Sequence, residues 1–444
     1  MTETGTTNTQ SVPRPTWGLA LVALTAIMHG WFGWQYATHL SPQAVGLSHP
    51  TSRDQYLASF PGWNTDSEQD AAGFNRAAMS ILARGLPYSR QGTLILRTAV
   101  YSYFVAGCYA VAGVRLLPIV VAQAIVSGLT GWILVMAASR LFARNGMAPW
   151  VAGGLYLLNL RVAMYVGYIV PLILTLFFMA VALWAATQRP GRLAMAWLVA
   201  GLVFGMYTSS TFFVVALAGA LWLLLQRRSV TGVAVIIAFV ALKFVVTWSN
   251  AAGSAAEPNR AGDRGGIFWL SNNPYYDRMR PWSLWEWRGS NPWSTWTASD
   301  EERERYAQYL ARGGQNELRA TLLWIRENPT RYLQVCLARL RTEFSPYTGQ
   351  MSPRNRHISI VIWLLIFPAG FYGLWLSRRD PTAQFAALVI LAVFTFATFV
   401  TEEPYLRYRL PVDLLLTAFA GAAYDEWMSR LRRESNSSNT AAMR

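Results

Sequence analysis

Long apolar runs constrain this chain more than any other feature. A helix needs about 20 mostly apolar residues to cross a hydrocarbon core of about 30 Å. Such runs occur at roughly 16–37, 117–138, 147–166, 169–187, 193–209, 210–226, 231–249, 358–376, 383–401 and 409–425. Only 14% of the 444 residues are charged, against about 25% in a soluble domain, so an ordinary water-soluble fold is excluded. The 20 Trp, 20 Tyr and 21 Phe suit a chain whose rings lie at a membrane interface. Two cysteines, Cys108 and Cys336, cannot build a disulfide framework or a cysteine zinc site. His29, His39, His49 and His357 show no metal-ligand spacing, so the sequence requires no cofactor and offers no metal-ligand set, while leaving dependence on a divalent metal open.

The formal charge of +15 is almost entirely arginine, with Lys243 the only lysine. No stretch joins basic clustering to a soluble nucleic-acid-binding fold, so nucleic acid is not expected as a partner. Arginine instead marks cytoplasmic loops. The apolar segment 97–113 is short and contains Arg97. If it stays at the surface, Arg140/Arg144, Arg189/Arg192, Arg227/Arg228, Arg378/Arg379 and the tail arginines all share the side of the N-terminus. If it spans, they all move outside. The expectation is therefore an all-α polytopic membrane protein with about ten spans, both termini cytoplasmic, in the plasma (inner) membrane of a bacterium. Residues 1–15 form a tail, 16–37 the first span, 38–116 an outer loop and 117–249 spans two to seven. Residues 250–357 form a small, mainly helical outer domain, 358–425 spans eight to ten, and 426–444 a second tail.

Both outer segments carry helix signals. Ser299-Asp300-Glu301-Glu302 has the form of a capping box, and Asn328-Pro329 places a cap and an N1 proline before TRYLQVCLARLRTEF. Leu333, Val335, Leu337 and Leu340 give that helix an apolar stripe. In the first outer segment, Phe74, Ala77, Ala78, Ile81 and Leu82 follow Asp70 at helical offsets, and Gly85 stands where a helix should stop. Asp70 thus opens a short helix lying on the outer surface. An aspartate there can act as a cap worth about 0.5–2 kcal/mol or as a catalytic carboxylate, and spacing leaves both readings open.

Asp70 with an aromatic residue at +4, Ala at +8, Leu at +12 and Gly at +15 resembles the GT-C glycosyltransferases, in particular the protein O-mannosyltransferase and lipid A aminoarabinose transferase branch. LSNNPYY (270–276), ATLLWIRENPTRYLQVCLARL (320–340) and YLRYRLPVDLLL (405–416) resemble the same branch, in the same order. The resemblance implies transfer of a sugar from a polyprenyl-phosphate donor to a hydroxyl of a glycan, lipid or protein outside the membrane. Asp70 would then be the general base, and arginine or lysine would stabilise the departing phosphate. Candidates for that phosphate are Lys243, Arg407, Arg409, Arg90 and Arg97, with Arg161 a weaker one. Arg407 and Arg409 are read as part of a short outer loop beside Glu402 and Glu403. Two departures stand out: Ala71 follows Asp70 where the family often has Glu, and NLRVAMYVGYIVP lacks a second acid. Asp66, Glu68 and Asp54 are therefore secondary acidic candidates. The alternative function is a transporter or flippase of lipid-linked saccharides.

Overall fold

The computed structural model describes residues 15–38, 69–88, 94–96, 98–142, 146–209, 211–227, 229–254, 272, 280–281, 287–288, 300–314, 316–346, 353–400 and 406–442. Those residues are almost wholly helical. The helices are α1 Pro15–Thr38, α2 Gln69–Arg84, α3 Ala99–Ala112, α4 Leu116–Leu141, α5 Ala148–Leu157, α6 Leu160–Val166, α7 Leu172–Ala186, α8 Arg192–Met206, α9 Phe212–Leu225 and α10 Val230–Ser254. After them come α11 Asp300–Arg312, α12 Glu317–Glu327, α13 Pro329–Glu343, α14 Pro353–Leu376, α15 Pro381–Phe399 and α16 Leu406–Ala442. Arg280–Pro281 and Trp287–Arg288 form a two-residue antiparallel pair.

Four described helices are long and apolar enough to cross a bilayer: Trp17–Gln35, Leu116–Leu141, Arg356–Leu376 and Pro381–Phe399. Five more, at 99–112, 172–186, 192–206, 212–225 and 230–245, are apolar but shorter. Lipid offers no hydrophobic drive between helices, so small residues at their contacts let backbones approach. A Cβ on Gly128 of α4 would lie 2.5 Å from the Val22 carbonyl oxygen of α1, and one on Gly373 of α14 would collide with the Phe419 carbonyl of α16.

The expected single span 147–166 is two helices. The chain breaks at Leu158 and Asn159, where the carbonyl of Leu157 points to a side chain on another helix. His29 Nε2 donates to that carbonyl at 3.0 Å, which leaves Nδ1 as acceptor for the Ser127 hydroxyl at 2.8 Å. A buried histidine on α1 thus helps satisfy the interruption and ties three helices together.

The stripe expected on α13 is also corrected. Val335, Cys336, Arg339 and Glu343 are buried, whereas Leu333 and Leu337 are exposed. The last helix starts at Leu406 and continues to Ala442, well past the expected end of the span at 425, so Arg409 lies within its first turns rather than on a loop.

Between α11 and α12, Tyr309 donates to Glu327 Oε2 at 2.8 Å and Arg312 pairs with the same carboxylate. Hydrogen bonds from Arg312 and then Tyr309 hold the Glu327 carboxyl down to about 2. Asn328 is the cap expected from the sequence, with the Tyr332 amide 2.9 Å from its carbonyl.

Candidate active site

The helix expected from Asp70 is α2, and its first turn contains Asp70. It ends as the sequence predicts: Gly85 takes φ +78°, and its amide closes the last turn on the Ile81 carbonyl at 2.8 Å. The inner face buries Asn75, Ala77, Ala78 and Met79. Against it runs α3, the segment expected to remain juxtamembrane. Tyr109 OH donates to Asn75 Oδ1 and Tyr103 OH to the Gly85 carbonyl at 2.8 Å, so the two helices are antiparallel. Farther in, Tyr101 OH reaches Gln123 Oε1 at 3.3 Å. Gln123 Nε2 donates to the carbonyls of Val166 and Tyr168 at 2.9 and 2.8 Å. A tyrosine–amide chain therefore links the Asp70 helix to the α6–α7 turn.

Lys243 is buried on α10 and donates to the Met206 carbonyl at the end of α8. Its ammonium lies 5.9 Å from the centre of the Tyr207 ring. The next carbonyl, of Tyr207, accepts from the Val100 amide at 3.2 Å. Lys243 thus gathers with the start of α3. Given the antiparallel register and a rise of 1.5 Å per residue, Asp70 lies roughly 20 Å along the hairpin from Val100. These two candidates do not come together.

A different group of charges does. Arg161 Nη1 of α6 lies 3.1 Å from Asp413 Oδ2 of α16, and Arg409 Nε lies 3.2 Å from Asp413 Oδ1. Arg409 Nη1 also donates to the carbonyl of Glu343 at 2.7 Å and to that of Ser345. All four side chains, Glu343 included, are buried. The two ion pairs are close but off the hydrogen-bond axis. Among the described residues, Arg161 Nε and Nη2, Arg409 Nη2 and both carboxylate oxygens of Glu343 have no hydrogen-bond partner. Burial pushes the Glu343 carboxyl up to about 8, with Arg409 opposing and Asp413 reinforcing the shift. One turn away on α13, Arg339 donates to Asn272 Oδ1 at 3.1 Å and to the Thr398 carbonyl at 3.3 Å.

Asn272 from 270–276 meets Arg339 from 320–340, one helical turn from Glu343, and Arg409 with Asp413 come from 405–416. Arg407 falls in the first turn of α16. Asp54, Asp66, Glu68, Arg90, Arg97, Ser299, Glu402 and Glu403 lie outside the described residues. Sequence reasoning missed Asp413 and Glu343 and underrated Arg161. An ionisable residue within an apolar run is a functional candidate on its own account, and Arg161 and Asp413 both meet that condition.

Neither a protein-family model nor a curated protein matches the chain. Among solved structures it is similar to ArnT from Cupriavidus metallidurans bound to undecaprenyl phosphate, with 15% identity and a TM-score of 0.53, over 93% of this chain and 61% of that one. It is also similar to the apo state of the same protein, with 15% identity and a TM-score of 0.50, over 94% and 62%. The chain spans about three fifths of the length of the structures it matches. At this identity the likeness concerns the fold alone: the chain shares the all-α, GT-C-like fold of these structures, the fold class expected from its sequence.

Proposed function

We propose that this chain is an integral-membrane glycosyltransferase that moves a sugar from a polyprenyl-phosphate donor to an acceptor hydroxyl on the outer side, with inversion. The observation that carries the reading is the GT-C fold over nearly the whole chain, in a match to a protein bound to undecaprenyl phosphate. The buried charges that motif 405–416 brings to Arg161, and the pairing of Asn272 with Arg339 one turn from Glu343, support it. In the reaction, the Asp70 carboxylate takes the acceptor proton while the hydroxyl oxygen attacks the anomeric carbon. The bond from that carbon to the phosphate oxygen breaks, and polyprenyl phosphate leaves. Arginine N–H groups stabilise its growing charge. Because Lys243 belongs with the start of α3, Arg407 and Arg409 are the cations to test first at the phosphate; Arg90 and Arg97 come next.

The test is Asp70→Asn in the purified protein, with radiolabelled lipid-linked donor and an envelope extract as acceptor. Transfer should fall by about 10²–10⁴ while the thermal transition stays within about 0.5 kcal/mol of the parent. Full transfer by the variant would remove Asp70 from the mechanism.

One observation favours the transporter reading: a helix broken at Asn159 beside buried charges, as transporters build their sites. Depth argues the other way. Arg161 is five residues from the end of α6, about 8 Å in, which suits the outer third rather than the midplane. Donor movement between leaflets without any glycosylated product would decide for transport.

A further inference from the structure

Two consecutive helices of the outer domain repeat one surface pattern. On α12 the residues facing inward are Ala320, Thr321 and Trp324; on α13, fifteen positions later, they are Val335, Cys336 and Arg339. The opposite face of each helix is leucine. Leu318 and Leu322 are 45% and 53% exposed, and Leu333 and Leu337 are 56% and 65% exposed. Arginine borders both faces on the same side, Arg319 and Arg326 on α12 and Arg341 on α13. A basic amphipathic helix with its leucines outward is out of place in water.

The position of α13 identifies what covers those leucines. Phe344, just after the helix, packs on Phe394 of α15 with ring centres 5.3 Å apart. Five residues back along α13, Arg339 reaches the Thr398 carbonyl, four residues on along α15. Helix α13 therefore runs antiparallel to the outer end of α15, a span-length helix, and overhangs it. Its Val335–Arg339–Glu343 face is turned to the bundle. The leucine face is exposed, beside the end of that span-length helix.

We propose that α12 and α13 form an interfacial platform that docks on anionic phospholipid of the outer leaflet. Leu333 and Leu337 enter the acyl boundary, with Leu318 and Leu322 beside them. Arg319, Arg326 and Arg341 reach the headgroup phosphates along their aliphatic stems. The charge beside the exposed leucines, Arg319 and Arg326 on α12 and Arg341 on α13, complements an anionic lipid. The platform does not depend on sugar transfer.

The test uses the full chain in nanodiscs of phosphatidylcholine, with and without phosphatidylglycerol, followed by hydrogen exchange of peptides covering 317–343. Phosphatidylglycerol should slow exchange by about fivefold for each arginine at the surface. Leu333→Gln with Leu337→Gln alters only exposed side chains and should abolish the difference. Arg341→Gln should reduce it by about fivefold while leaving exchange in pure phosphatidylcholine unchanged. Equal exchange in both lipids, or full lipid-dependent protection in the double leucine variant, would overturn the proposal. So would protection that grows with protein loading, which would mean a second copy covers the leucines.

Discussion

The α2–α3 hairpin and the cluster joining α6, α13 and α16 both bury polar groups, but they balance them differently. In the hairpin the buried groups are neutral, and Tyr109, Asn75, Tyr101 and Gln123 meet donor to acceptor. In the cluster Arg161, Arg409 and Asp413 are ions, and among the described residues parts of both arginines, with the Glu343 carboxyl beside them, go without hydrogen bonds. A satisfied neutral network rigidifies at low risk; an ionic one left partly open is costly to hold. The difference suggests that the hairpin is a mount and that the cluster is kept for what it does.

The largest effect should therefore come from the cluster. Asp413→Ala leaves two buried guanidinium groups without their shared counter-ion and should cost about 3–5 kcal/mol. Unfolding followed by intrinsic fluorescence in detergent would measure it. The matching change in the hairpin, Tyr109→Phe, removes one neutral hydrogen bond and should cost about 1 kcal/mol. Equal losses would erase the distinction between the two regions.

Acidity sharpens the contrast further. The folded state holds the Glu343 carboxyl at about 8 against an ordinary 4.5, mainly through burial, so it binds that proton more tightly than the unfolded chain does. The contribution to stability is complete below about pH 4 and is lost as the pH rises to about 8. Glu343→Gln cannot ionise and should lack that decline. Near pH 8.5 it should be more stable than the parent by up to about 5 kcal/mol, with little difference near pH 4. Parallel pH profiles of parent and variant would show that Glu343 is ionised and already balanced.

Membrane-spanning character was plain in the sequence because lipid imposes a single requirement, length of apolar run, that local composition reports directly. The first helix of the hairpin was legible for a similar reason: the offsets from Phe74 to Ile81 and the stop at Gly85 are local, although Leu82 of the same stripe is exposed, and the pairing with α3 could not be read. The break at Asn159 was not, since the run 147–166 stays apolar through it and the compensating group, His29, comes from another helix. The α13 stripe misled because amphipathicity states that two faces differ, not which one a bundle will cover. Arg339 turns inward because the Thr398 carbonyl and Asn272 are there to receive it. Of the site, Arg409 and the motif containing Asn272 could be read from pattern. The meeting of Arg161 with Asp413 could not, because residues so far apart in the chain have no spacing to betray them.

The smallest effects test the mount itself, by one substitution at two ends of the same helix. Gly73 lies inside α2, and a methyl group added there meets nothing within 4 Å. Gly73→Ala should stabilise the hairpin by about 0.5–1 kcal/mol, chiefly by restricting the unfolded chain. Gly85 is equally open, with nothing within 4 Å, but its φ is +78°. An L side chain is strained there whatever the space, so Gly85→Ala should cost about 1 kcal/mol. Thermal transitions of the two variants should therefore move in opposite directions. Both moving down would mean that α2 does not tolerate a side chain at Gly73 and that its outer face is covered. Both moving up would mean that the left-handed turn at Gly85 is not the resting conformation. Either result would change where α2 ends, and with it the distance from Asp70 to every cation considered above.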